Sequence, residues 1–430
     1  MKRLITLILA GLMLFSMSSA IAEPAAIVPD TSLSGEITHW VWGDYEVKGA
    51  SDFNKYYPNI KVNYVFIPQD EYTTKLQTAI ASGLDLPDVV NLEMTPRAMF
   101  LSFDAWQRLD EPPYNLNKDE LVPFSVPLVS NPNGEVVSVQ IDNCVGGYVY
   151  NRELAKKYLG TDDPAELEKL LPTLDSLLEL SKRVSTESNG TDFLYPGVDD
   201  AFMAAFGLYT SEALITDNKL TLDSSFLPAY QFCEQLVKNN AVNKYMQWTP
   251  AWNTAFSANN YLFFPGPSWY ISFVVKTNDP DSVGKYGLMT PPGGGFSWGG
   301  TSYSIPKNRP DEQKQLAWAY IKWFTMSVEG NRNFVKAQST PTLYLPSFET
   351  DMYSNNADPY FAGQDIIAKL LEIAQNPNTN VRPMTKYDSR IMDVNSQVLR
   401  DIEQGMSAVD ALAKLKTEVL VQLAGEGIIQ

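Results

Sequence analysis

The feature that most narrows the fold is an alternation that begins at Gly35. A β-type run through Trp40 ends in a Gly43-Asp44 turn, and the segment after it can hold a helix up to Tyr57, before Pro58. A second strand pattern covers Ile60 to Phe66, helical spacing covers Asp70 to Ser82, and a third strand runs from Asp88 to Leu92, with Pro87 setting its start. Strands that alternate with helices in this way predict an α/β fold around a parallel, helix-covered sheet. In such sheets ligands gather at the carboxyl ends of the strands. Trp42 and Asp44 end the first strand and Glu93 ends the third, which places the three on one rim.

The β-rich run from Val136 to Tyr150 is interrupted by Asp142-Asn143 and by Gly146-Gly147, the pattern expected of a strand that leaves one sheet and enters another. Helical spacing returns at Leu174 to Val184 and at Phe226 to Val237. Two aromatic stretches, Trp248 to Trp252 and Tyr261 to Trp269, precede the Gly/Pro-rich segment Pro291 to Gly295. A strand at Thr301 to Ile305 and a helix at Glu312 to Thr325 follow. The chain shows no internal repeat and no low-complexity segment.

Residues 1–22 have the order of a secretory signal peptide: Lys2 and Arg3, an apolar run from Leu4 to Phe15, then Ala20-Ile21-Ala22 before a cleavage point at Glu23. No cysteine stands at that point, so a lipid anchor is not expected and the mature protein is expected to be soluble and periplasmic or otherwise extracytoplasmic, with the missing anchor favouring a periplasm. No later stretch reaches the ~18 uninterrupted apolar residues of a spanning helix. About 400 residues remain, more than one hydrophobic core usually supports, so two lobes are the default. The formal charge of −17 repels phosphate polymers and argues against a nucleic-acid partner. Cys144 and Cys233 either pair in an oxidising compartment or serve as separate buried apolar side chains, and the second reading is favoured.

Four segments, in order and in register, carry a family likeness. They are Asp52 to Glu93, the run Gly147 to Leu154, the Phe264-Pro265-Gly266-Pro267-Ser268-Trp269 stretch, and the region from Lys285 through Trp298-Gly299-Gly300-Thr301 to Trp323-Phe324. The chain resembles the family 1 extracellular solute-binding proteins, the maltose-binding-like group, over nearly all of its mature length. Only Phe256 to Asn260, before the Gly-Pro-Trp-like run, departs from the family's usual Gly-Lys-rich pattern. The resemblance implies a two-lobed periplasmic-binding-protein fold of type II, with a ligand cleft between lobes joined by hinge crossings. It implies a monomer whose partners are a small ligand, expected to be a carbohydrate, and the membrane permease of an ABC importer. Residues 35–141 with 291–340 are expected to form the N-terminal lobe, and 142–290 with 341–430 the C-terminal lobe.

A sugar offers hydroxyl edges and apolar C–H faces, so its site needs flat aromatics for stacking and carboxylates, amides or arginine for hydrogen bonds. Trp42, Trp269 and Trp298 are the expected stacking residues, with Trp248 and Trp252 weaker candidates. Asp44, Glu93, Asp142 and Arg382, with backbone groups at Gly299 and Gly300, are the expected hydrogen-bonding set. Any one of these tryptophans serves equally well as lobe core, and a strand-end carboxylate is commonly solvated surface. The resemblance favours Trp269, Trp298, Asp142 at the first hinge and Arg382 in a late Arg-Pro segment.

An enzyme is not expected. The chain has one histidine, His39, inside the first strand, which leaves no hydrolytic triad. No metal-ligand spacing appears, and no Gly-rich phosphate loop or other cofactor site. A binding protein for another polar solute, a peptide or a polyamine, remains open as the alternative, as does a secreted carbohydrate-active enzyme with paired carboxylates.

Overall fold

The computed structural model describes residues 26–430, so the signal peptide expected over residues 1–22 lies outside the described residues. Strand β1 (Gly35–Val41) buries Ile37, His39 and Val41 on one face and pairs in parallel with β2 (Ile60–Phe66) and β3 (Val89–Glu93). The crossover from β2 to β3 is the helix Gln69–Ser82, which ends at Gly83 in the left-handed conformation that only glycine adopts without strain. These elements match the alternation read from the sequence, and they carry Trp42 and Glu93 to the carboxyl ends of neighbouring strands.

Six more strands complete the two main sheets: β4 (Val139–Gln140), β5 (Val145–Asn151), β6 (Phe263–Pro267), β7 (Tyr286–Met289), β8 (Phe296–Ser297) and β9 (Thr301–Ser304). The first sheet has the order β2-β1-β3-β9-β4, with β9 antiparallel to both β3 and β4. In the second sheet β5, buried at every position, pairs antiparallel with β6 on one edge and with β7 and β8 on the other. The interruption at Asp142-Asn143 is therefore the passage from the first sheet to the second.

Each sheet has its own core. Tyr303, Tyr320, Trp323 and Phe324 pack beneath the first sheet, where the helix Asp311–Met326 returns across β1. The second lobe packs Tyr148, Tyr195, Phe202, Phe226 and Tyr230 between its sheet and the helices Val198–Tyr209 and Asp223–Lys238. The helices Asp388–Glu403 and Ala408–Gln422 close that core.

Two expected lobe boundaries shift. Residues 291–297 are expected in the first lobe, but Phe296 pairs with Gly146 and Ser297 with Val145, so this stretch runs with the second sheet until the chain crosses at Trp298-Gly299-Gly300. The physical reason is packing: the Phe296 side chain fills the space that Gly146 and Gly207 leave open, since a Cβ on Gly146 would lie 2.5 Å from its ring and one on Gly207 2.2 Å from its Cβ. The last crossing also comes later than residue 341, because Leu343 donates its N–H to Ile141 and accepts from Val122, while Tyr344 bridges to Leu121. Among the described residues no helix is long and apolar enough to cross a membrane.

Candidate ligand-binding cleft

Where the crossings meet, the lobes enclose a cavity of about 820 Å³ lined by both. That is near the upper end of the roughly 300–1,000 Å³ typical of sites that enclose small molecules. Of the site residues expected from sequence, the structure brings Trp42, Glu93, Asp142, Trp269, Trp298, Gly299 and Gly300 to this one cavity.

The first lobe supplies the polar wall. Glu93 ends β3 and caps the helix Met94–Leu101, accepting the Thr95 N–H at 2.7 Å, and burial pushes its carboxyl above the ordinary value. Trp42 stands against Tyr72 edge to face, with ring centroids 4.7 Å apart. Gln69 and Asp70, at the start of the helix Gln69–Ser82, line the same wall. Asp142 sits on the floor, where its carboxylate accepts the Thr301 N–H at 3.2 Å and the Cys144 thiol at 3.0 Å. The described lining contains Asp70, Glu93 and Asp142 but no lysine, arginine or histidine.

The second lobe supplies aromatic faces. Trp269 and Trp298 meet at 70° with centroids 5.2 Å apart, and the Trp269 indole donates to the Trp298 carbonyl at 3.0 Å. Trp248 lies nearly parallel to Trp269, at 21° and 6.2 Å, and edge-on to Trp298. Phe273, from the helical segment 268–278, contacts Tyr45 of the first lobe edge to face at 5.9 Å. Residues 271–275 of that segment form a π-helical turn, a widening that tends to occur at functional sites.

The crossings are held by one buried cation. Arg97 donates from Nη2 to the Gly300 carbonyl at 2.6 Å, from Nε to the Leu92 carbonyl at 3.3 Å, and from Nη1 to the Gln140 side chain. Gly299 and Gly300 have φ of 82° and 109°, and a Cβ on Gly300 would lie 2.4 Å from the Gln140 amide nitrogen. Glycine is required there by backbone and by space.

Two expected ligand contacts lie elsewhere, and a third is only half met. Asp44 is exposed and pairs with Lys48 at 2.7 Å one helical turn on, outside the cavity. Arg382 is committed to the buried Asp388 carboxylate and lies over the Phe206 ring, within the second lobe. Of the backbone groups expected at Gly299 and Gly300, the Gly300 carbonyl is occupied by Arg97 and by the Met94 N–H at 3.0 Å.

Tyr45, Gln69, Asp70, Phe273 and Gln338 line the cavity without having been singled out in the sequence, and Trp248 ranks above its weak standing there. A clue to Trp248 was available, since Tyr245, Trp248 and Trp252 concentrate three aromatics around one turn.

His39 is buried in the first lobe, where desolvation holds its pKa down to about 4. Its Nε2 meets the Asn91 side-chain oxygen at 2.6 Å, and Asn91 in turn donates to Glu46, whose buried carboxyl is pushed up to about 8. This polar chain lies beneath Tyr45. Cys144 and Cys233 are both free, the first at the hinge and the second in a helix of the second lobe. Among the described residues no cluster of three or more His, Cys, Asp or Glu side chains is placed to hold a metal ion.

The sequence profile of a family described as bacterial extracellular solute-binding protein matches residues 48–363. The chain is 23% identical over 424 residues to the arabinooligosaccharide-binding protein of Bacillus subtilis (strain 168), a match covering 91% of each. A solved extracellular solute-binding protein of family 1 superposes with a TM-score of 0.78 at 20% identity, over 89% of this chain and 98% of that one. The galacto-N-biose-/lacto-N-biose I-binding protein of the ABC transporter from Bifidobacterium longum, solved with lacto-N-biose, superposes with a TM-score of 0.75 at 17% identity, over 92% of this chain and 98% of that one. At these identities what is shared is the two-lobed fold.

Proposed function

Because the chain belongs to the bacterial extracellular solute-binding protein family, we propose that it captures a sugar or oligosaccharide between its lobes and delivers it, chemically unchanged, to the membrane permease of an ABC importer. The observation that carries this reading is the opposition of two walls. Flat indole faces from the second lobe stand across one cavity from Glu93, Asp70 and Gln69 of the first. A pyranose or furanose ring has the matching character, apolar on its faces and rich in donors at its edge. The names of the similar proteins, an arabinooligosaccharide binder and a binder solved with a disaccharide, point the same way.

Neither wall completes a site alone. A ligand that touches both gains contacts only when the lobes approach, and that differential affinity drives closure. The hinge of this proposal runs through residues 141–144, 298–300 and 344–345. The protein acts as a soluble extracytoplasmic monomer, with the cleft carboxylates holding hydroxyls rather than transferring protons.

The test is a panel of neutral oligosaccharides, monosaccharides, peptides and polyamines read by thermal shift, since a ligand that binds only the native state raises its melting temperature. Small-angle scattering with the best binder should then show compaction, and chromatography should recover it intact. Stabilisation by polyamines alone, or recovery of cleaved sugar, overturns the proposal.

A further inference from the structure

The segment Ser268 to Asn278 belongs to the second lobe, and its backbone leaves ordinary helix at the place where it touches the first. Ser268–Tyr270 and Lys276–Asn278 are α-helical, while Ile271–Val275 form the π-helical turn. A π-turn carries one residue more than an α-turn, so it re-aims the side chains it contains. Ile271, Val274 and Val275 are buried with Phe264, Tyr270 and Tyr286 of the second lobe. Ser272 and Phe273, between them, are not.

Ser272 Oγ donates to the Gln338 carbonyl at 3.3 Å, at the end of the helix Val328–Gln338. That helix lies on the seam between the lobes, since Phe334 packs in the first core and Val335 in the second-lobe cluster. Phe273 reaches past it to Tyr45 of the first lobe, edge to face at 80°. Both partners are held in place. Trp269 and Lys276 tie the segment to the Trp298 carbonyl at 3.0 Å and to Asp358 at 2.7 Å, and the Tyr45 hydroxyl donates to Thr301 Oγ1 at 2.8 Å. Phe273 is nonetheless 44% exposed, so it serves its own lobe's core little. Its gain comes from Tyr45, and only while the lobes are close.

We infer that Phe273 and Tyr45 form a latch between the lobes, which keeps part of the solute-free population closed. The contact needs nothing between its two rings, so it biases the hinge before any solute arrives. One aromatic pair shifts an open–closed equilibrium by roughly two- to ten-fold. While the closed form is the minor one, that shift raises the affinity for every solute that favours closure by the same factor, whatever its chemistry. The latch therefore does not depend on the saccharide reading of the cleft.

The test is pulsed electron–electron resonance on exhaustively dialysed, solute-free protein. Nitroxides are attached at Phe66→Cys, at the exposed end of β2, and at Met246→Cys, exposed on the second lobe. The buried Cys144 and Cys233 stay unlabelled. The otherwise native chain should show a closed-distance population. Phe273→Ala should lower its ratio to the open population by roughly two- to ten-fold, and Phe273→Tyr, which keeps the ring, should retain it. Because Phe273 is nearly half exposed, matching thermal melts should show both variants folded. A native chain with only the open distance, a closed fraction that Phe273→Ala leaves unchanged, or an equal loss in Phe273→Tyr overturns the latch and leaves solute-driven closure standing.

Discussion

Arg97 Nη2 lies 2.6 Å from the Gly300 carbonyl oxygen, which joins a helix of the first lobe to the second hinge crossing through a charge sealed from water. The same guanidinium holds Gln140 on the first crossing, so two crossings share one clamp. Replacing Arg97 with methionine leaves those acceptors without their donor. The expected cost is about 2–4 kcal/mol of unfolding free energy in urea. A loss below about 0.5 kcal/mol shows that the clamp is not needed.

Gly300→Ala attacks the same place through the backbone. Its φ of 109° and the 2.4 Å approach of Gln140 leave no room for a methyl group. A destabilisation of about 2 kcal/mol or more is expected, against a few tenths for Gly83→Asn, where the backbone is also left-handed but space is open.

Trp269→Ala should weaken ligand binding at least roughly ten-fold, with a native-like circular dichroism spectrum, because the ring is a cleft wall that packs on one core cluster where Trp298 packs on two. Trp298 also packs against the cores of the second lobe, so Trp298→Ala should lower both affinity and melting temperature. Calorimetry paired with thermal melts separates the two outcomes, and undiminished affinity in either variant assigns that tryptophan to packing alone.

Asp200 gives a pH signature. Burial raises its carboxyl to about 7, well above the unfolded value, so the folded state holds an extra proton between about pH 4 and pH 7. Its contribution to stability is therefore greatest below about pH 4 and declines as pH rises through 7. Asp200→Asn removes that decline and should stabilise the protein by roughly 1–3 kcal/mol at pH 8, with a smaller gain at pH 4.5. An equal effect at both values shows that the carboxyl is not perturbed in this way.

What was legible in the sequence was what local chemistry specifies. Strand ends in a parallel sheet have a known destination, so Trp42 and Glu93 were placed from β1 and β3 alone, and the Asp142-Asn143 break marked a hinge because polar residues interrupted an apolar strand. Trp269, Trp298 and the glycines beside them came from the family likeness rather than from periodicity. Asp44 was misplaced because Lys48, four residues on, offers a nearer partner than the cavity does. Arg382 failed for a related reason: its partner Asp388 is six residues downstream, across an irregular stretch with no pattern to read. Trp248 depends on a left-handed backbone held through Gln247 by Asp200, about fifty residues away in sequence, and local patterns do not carry such a relationship.

The concealed thiols have a practical consequence. Cys144 is 3% exposed and Cys233 is wholly buried, and burial raises both thiol pKa values, so native molecules present almost no thiolate to reagents. A cysteine introduced at Asp44, on the surface just beyond the rim, would sacrifice only an exposed ion pair worth little. It would be the single fast-reacting sulfur on the protein. A polarity-sensitive dye attached there would turn the proposed approach of the lobes into an optical signal, making the labelled variant a reagentless sensor for whatever it captures.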